Sequence, residues 1–247
     1  MVTPQPTDPD APTLVLWDID HTLIETRGVG RAIYDRAFPA ATGRSLEKLA
    51  QIAGRTELDI MSESLRVNGI EPTDTAVQRL AAALVQGHED ARDELATTGR
   101  ALPGAAEALQ TLAAIPHVHQ GVLTGNLREV ARIKVEVFGL DRYLDLESSA
   151  YGDDHTDRAE LVAIAQRRAK EHTGTTFDND HTVLIGDTVN DVKAALVAGV
   201  RVVAVATGKS DAEVLRGAGA VNVLPELTQV ERVIEMLTCS RSTSGPR

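Results

Sequence analysis

The sequence predicts an α/β chain built on a doubly wound, mostly parallel sheet, interrupted after its first strand by an all-helical insert. Three observations predict it. Short unbroken apolar runs recur along the chain, as in strands buried on both faces. Stretches with apolar residues at helical spacing separate these runs. From about residue 28 to residue 98 the alternation stops and helix signals alone remain.

The elements follow in order. Residues 1–12 carry Pro4, Pro6, Pro9 and Pro12 and read as a disordered leader. Leu14-Val15-Leu16-Trp17 is the first strand. Helices are expected at Leu46 to Ala53, Thr56 to Val67 and Thr73 to Leu95, with Arg27 and Gly28 to Gly30 as the hinge into this insert. The core resumes near Leu102-Pro103-Gly104. It continues as helix (Ala105 to Ala114), strand (His119 to Leu123), helix (Leu127 to Phe138) and helix (Arg158 to Lys170). Strand (Thr182 to Ile185), helix (Val189 to Val197), strand (Arg201 to Ala206) and a short strand (Ala220 to Val223) complete it. The expected division is a core of 13–27 and 99–237, an insert of 28–98 and a frayed tail of 238–247.

Composition removes several classes of function. With 25 Lys and Arg against 36 Asp and Glu, the net charge is −11, opposite to what nucleic-acid phosphates require. Aromatic residues are 3% of the chain, too few for a base-stacking surface. The single cysteine, Cys239, excludes an internal disulfide and a cysteine-based zinc site. No apolar run approaches the roughly 18 residues of a membrane span, and the amino terminus lacks the regions of a signal peptide. A cytoplasmic protein without nucleic-acid or membrane partners is expected.

Chemistry gathers at the carboxyl ends of three strands, where open α/β sheets bind their ligands. Asp18-Ile19-Asp20-His21-Thr22 follows the first strand, placing two carboxylates two residues apart. Thr124-Gly125-Asn126 follows the second and opens a helix, a setting suited to a phosphate or other oxyanion. Gly186-Asp187-Thr188-Val189-Asn190-Asp191 follows a third and adds two acids. Any one of these could be ordinary helix capping or an Asx turn. Together they place four acids in one cleft, where two like charges about 4 Å apart cost roughly 4 kcal/mol at an effective dielectric of 20. A divalent cation removes that cost, and all-oxygen donors beside a phosphate favour magnesium.

The ordered set DIDHT, LTGN and GDTVND resembles the signature of the haloacid dehalogenase (HAD) superfamily, in particular its phosphoglycolate phosphatase-like branch. The likeness extends over residues from about 13 to 237. It implies a Rossmann-like core with a helical cap inserted after the first motif, and a magnesium-dependent phosphatase acting on a small phosphorylated metabolite such as phosphoglycolate. By the same resemblance Asp18 is the nucleophile that forms an aspartyl-phosphate, and Asp20 is the general acid and base. Magnesium would be held by Asp18, the Asp20 backbone carbonyl and Asp187, with Asp191 orienting the site or acting through water. Thr124, Gly125 and Asn126 would bind phosphoryl oxygens. Asp20 favours a phosphatase over a dehalogenase, since expelling halide needs no acid.

The chain departs from that pattern in one place. Where the superfamily usually carries a lysine, the segment reads His155-Thr156-Asp157-Arg158-Ala159-Glu160-Leu161, and Arg158 aligns with the lysine. Arginine keeps the charge and can grip phosphate with two N–H groups. Lys134 and Lys170 are rival cations, each also readable as a surface-helix residue. Arg55, in Gly54-Arg55-Thr56 between two expected insert helices, is the candidate substrate contact from the cap. Thr207-Gly208-Lys209-Ser210 imitates the end of a P-loop without its earlier glycine and reads as a rim loop. A phosphoglucomutase-like phosphotransferase shares every one of these motifs; a catalytically silent metabolite-binding module is the other alternative, and the intact Asp18, Asp20, Thr124 and Asp187 set argues against it.

Overall fold

Residues 11–238 are described in a computed structural model of the protein. Residues 1–10 and 239–247, which hold most of the expected leader and tail, lie outside the described residues. Five strands form one parallel sheet: β1 (Thr13–Trp17), β4 (Val118–Val122), β5 (Thr182–Gly186), β6 (Arg201–Val205) and β7 (Asn222–Leu224). Their spatial order is β4-β1-β5-β6-β7. The chain leaves β1 to build β4 on one side and then returns to build β5 on the other. The order therefore switches at β1, where such sheets open a crevice.

Alternation along β1 explains the layers. Val15 and Trp17 face a core completed by α5 (Ala105–Ala113), α6 (Arg128–Val137) and α10 (Val230–Thr238). Leu14 and Leu16 face the opposite core, completed by α7 (Glu160–Thr173), α8 (Val189–Ala198) and α9 (Ala212–Gly217). All five residues of β1 are buried, as an uninterrupted apolar run requires.

Between β1 and α5 lies an inserted helical region with a core of its own. It comprises α1 (Val29–Thr42), α2 (Glu57–Val67), α3 (Asp74–Asp90) and α4 (Arg92–Thr98). Its entry and exit are clasped by β2 (Ile24–Glu25) pairing antiparallel with β3 (Arg100–Ala101). Leu127 and Val130 on the outer face of α6 join the insert core, while Ala131 and Val135 face the sheet. Helix α6 is therefore covered on both sides.

The insert differs from the sequence expectation in three details. Leu46 to Ala53 forms no helix. Its backbone is tied by side chains of α2 and its end: Asn68 Oδ1 accepts from Glu47 N at 2.8 Å and Lys48 N at 3.1 Å, and Ser64 Oγ accepts from Ala50 N at 3.2 Å. Helix α1 is additional to the expected helices and begins directly after the hinge residue Gly28. Its buried residues Val29, Ile33, Tyr34, Ala37 and Phe38 carry the helical period. Thr73 to Leu95 divides at Ala91 into α3 and α4.

Candidate active site

The neighbouring order β4-β1-β5 brings the three motif loops together. Asp18 leaves the end of β1 with its N–H donating to Ile185 O at 2.8 Å, so its backbone is still bound to β5. Asp18, Asp187 and Asp191 are all buried, and each offers an oxygen within 4.8 Å of the others. The loop to Asp20 turns through His21, which has a left-handed φ of 62°. Asp20 lines the same cavity as Asp18, Thr124, Asn126, Arg158 and Asp187.

Thr188 caps α8 by accepting from Asp191 N at 3.1 Å, while Asp191 Oδ2 accepts from Thr188 N at 3.0 Å. This reciprocal box fixes Asp191 inside the site. It also requires Gly186: a Cβ there would stand 2.4 Å from Asp191 Cγ. Glycine at the end of β5 thus makes room for the acid at the start of α8.

Two buried cations divide the acids between them. Arg158 Nη2 donates to Asp18 Oδ1 at 2.8 Å and lies 2.5 Å from Asp191 Oδ1. Lys134 Nζ donates to both Asp20 oxygens at 2.8 and 2.7 Å, and to Asn126 Oδ1 at 2.7 Å. Asn126 Nδ2 in turn donates to Asp20 Oδ2 at 2.7 Å and Thr124 Oγ1 at 2.8 Å. The Asn126 side chain therefore ties the general-acid candidate to the hydroxyl loop. Lys170 lies exposed on α7 and does not line the cavity.

These surroundings set the proton affinities. Burial pushes Asp18 up to about 7; Arg158 opposes this, while Asp191 and Asp20 add to it. Burial pushes Asp187 up to about 8, reinforced by the charges of Asp18 and Asp191. Burial also acts to raise Asp20, but Lys134 and Asn126 outweigh it and hold that carboxyl below its usual range. Two carboxyls held up by burial and mutual repulsion, with only oxygen donors nearby, fit a hard divalent cation such as magnesium.

A segment of the insert closes over these loops. Glu57 N donates to Gly125 O at 2.7 Å, Thr56 Oγ1 to Thr156 O at 3.0 Å, and Asn190 Nδ2 to Ala53 O at 3.2 Å. A Cβ on Gly125 would stand 2.0 Å from Arg55 O, so glycine is what lets the two backbones approach. The cavity beneath this segment is about 410 Å³. Arg55 lines it, but its guanidinium is held by Asp59 at 2.6 Å and Glu63 at 2.7 Å. Lys209 and Ser210 also line the cavity, placing the P-loop imitation at its rim.

The lining residues Tyr34, Glu57 and His88 from the insert carry no mark in the sequence, and Lys134 stands there only as a rival cation. Lys134 shares α6 with the apolar positions Val130, Ile133 and Val137, and no local signal shows that the insert covers its face.

The chain matches the haloacid dehalogenase-like hydrolase family over residues 15–196 and belongs to it. A search of curated proteins finds no match. Among solved structures, a hydrolase from Pseudomonas syringae is similar at 23% identity and a TM-score of 0.67, covering 90% of this chain and 98% of that one. CbbY from Rhodobacter sphaeroides, in complex with xylulose-(1,5)bisphosphate, is similar at 18% identity and a TM-score of 0.65, covering 88% and 96%. A protein described as a predicted phosphatase, from Clostridium acetobutylicum, is similar at 18% identity and 0.64, covering 91% and 99%. At these identities the structures establish the α/β fold with its inserted helical region. No helix among the described residues is long and apolar enough to cross a membrane.

Proposed function

We propose that the protein is a magnesium-dependent phosphatase that hydrolyses a small phosphate monoester through an aspartyl-phosphate on Asp18. The observation that carries the reading is the convergence of Asp18, Asp187 and Asp191, with oxygens within 4.8 Å, where Asp18 and Asp187 line a cavity together with Asp20 and Thr124. In this reading residues 13–27 and 99–237 form the catalytic core and residues 28–98 form the cap.

Asp18, Asp187 and the Asp20 carbonyl would hold magnesium, with Asp191 behind them. The ion would supply charge neutralisation for the acids and the phosphoryl oxygens. An Asp18 oxygen attacks phosphorus, the bond from phosphorus to the alcohol oxygen breaks, and Asp20 gives that oxygen a proton. Water then attacks the aspartyl-phosphate, Asp20 takes its proton, and Asp18 is released with inorganic phosphate. Lys134 keeps Asp20 ionised, the form in which it can accept the proton of water in the second step; the same contact must loosen for Asp20 to carry a proton in the first. Arg158 orients Asp18 and meets the phosphoryl charge beside Thr124 and the Gly125 and Asn126 loop. Arg55 orders the closing segment beside them.

The test is phosphate release from a panel of small phosphate esters, phosphoglycolate included, with magnesium or with chelator. Release by the wild type with magnesium, its loss with chelator, and its loss in Asp18→Asn are expected. An isomerised sugar phosphate in place of free phosphate would redirect the reading to a mutase, and unimpaired release by Asp18→Asn would end it.

A further inference from the structure

The insert contributes a wall of its own to the cavity. Tyr34 stands on α1, Glu57 opens α2, Ile60 follows it on α2, and His88 lies in the last turn of α3; all four line the same cavity as Asp20 and Lys134. With phosphorus at Asp18, this wall is the part of the cavity that the insert offers to the alcohol half of the ester.

The wall offers acceptors. Tyr34 donates its hydroxyl to Glu57 Oε1. Burial and the neighbouring Glu57 carboxylate hold the Tyr34 phenol well above its usual range, so it stays the donor of that pair. Glu57 Oε2 is left without a hydrogen bond among the described residues; burial raises the Glu57 carboxyl, while the Tyr34 hydroxyl and the Lys134 charge act to keep it ionised. His88 Nδ1 lies 2.8 Å from Leu84 O and therefore carries the ring proton. Burial and the charge of Lys134 hold its imidazole down to about 4, so Nε2 is a bare acceptor at neutral pH. The Tyr34 oxygen adds lone pairs of its own.

Cations to match a carboxylate are occupied elsewhere. Arg31 pairs with Asp35, Arg55 with Asp59 and Glu63, Lys134 with Asp20, and Arg158 with Asp18 and Asp191. Lys209 is the lining cation with no ion pair among the described residues, and it stands exposed on the loop after β6, on the core side. A carboxylate on the alcohol half would meet Glu57 and bare acceptors. A hydroxyl or ammonium would satisfy them.

We propose that this wall selects the substrate: small phosphate monoesters whose alcohol bears a hydrogen-bond donor, hydroxyl or ammonium, are preferred over those bearing a carboxylate. The inference rests on the phosphatase reading and sharpens it, setting this chain apart from a phosphoglycolate-specific enzyme. The physical basis is asymmetric, because an acceptor-lined pocket loses its own hydrogen bonds when the ligand cannot donate, and repels an anion as well.

The experiment uses four esters of matched size on the full chain with magnesium: 2-aminoethyl, 2-hydroxyethyl, ethyl and carboxymethyl phosphate, the last being phosphoglycolate. Values of kcat/KM for the aminoethyl and hydroxyethyl esters are expected at least about tenfold above phosphoglycolate. In Glu57→Gln the ratio of aminoethyl to ethyl ester should fall by about tenfold, a ratio unaffected by the fraction of enzyme that folds. Phosphoglycolate turned over as fast as the donor-bearing esters, or a ratio unmoved by Glu57→Gln, would overturn the proposal. Calorimetric binding of the four esters to Asp18→Asn separates the two readings. If the wild type releases no phosphate, the phosphatase reading fails, while the same order of affinities upholds the selecting wall and its absence overturns that too.

Discussion

Arg158 shows what one residue can decide in this site. It is buried between Asp18 and Asp191, and each acid is itself almost sealed from water. Removing one partner of such a cluster leaves charge uncompensated, which costs about 3–5 kcal/mol. Arg158→Met is therefore expected to lower the unfolding free energy by about 3 kcal/mol in urea titrations near neutral pH, with Arg158→Lys recovering part of it. His88 makes the opposite kind of statement, since burial keeps it neutral. Its folded value is about 4 against an ordinary 6.5, so between these values the unfolded chain binds a proton that the folded chain refuses. Stability is then lost as pH falls from about 6.5 towards 4. In His88→Leu the loss of urea stability between about pH 7 and pH 5 should shrink by roughly 1–2 kcal/mol. Neither role was open to sequence inspection alone. Arg158 could be aligned, but the acids it meets could not be assigned, and His88 shows only as a polar residue in a helical pattern.

At the scale of elements, the meeting of the insert with the core rests on the backbone. The segment around Arg55 lies so close to Gly125 that any side chain there must push it away. Gly125→Ala is expected to reduce kcat/KM by about tenfold or more, with a stability loss of about 1–3 kcal/mol from the forced displacement. Faster tryptic cleavage at Arg55, followed by mass spectrometry, would show the segment released; an unchanged cleavage rate would count against the close approach. The strands and core helices were legible because their apolar periods are set by burial against the adjoining layer. The segment of Leu46 to Ala53 misled because Asn68 and Ser64 satisfy its backbone from a distance, replacing the helix bonds that its composition suggests. Helix α6 left two readings of Lys134 open, a rival site cation or a surface residue; both of its faces are covered, so Lys134 is buried.

For the whole molecule, closing three strand ends around several acids has a cost that depends on pH. Asp18 and Asp187 are raised to about 7 and about 8 in the folded chain, against an ordinary 3.8. The folded state therefore holds protons that the unfolded state has released, and stability in the presence of chelator falls as pH rises from about 4 through these values. Magnesium held as proposed would offset that loss, by about 2.7 kcal/mol at a hundredfold excess over Kd. The rise in Tm on adding magnesium should accordingly be larger at about pH 8 than at about pH 6, and should vanish in Asp187→Asn. Differential scanning fluorimetry at the two pH values checks both.

The sequence by itself determined which chemical groups stand at the ends of β1, β4 and β5, because each motif is contiguous with the apolar run that buries its strand. That is enough for the family and for the acidic and hydroxyl loops. Only the tertiary structure decided which cation neutralises which acid, and which insert residues face the cavity. Lys134 and Asp20 are 114 residues apart, and Arg158 and Asp18 are 140 apart. Contacts over such separations are set by how helices cover one another's faces, and no local pattern of residues carries that information.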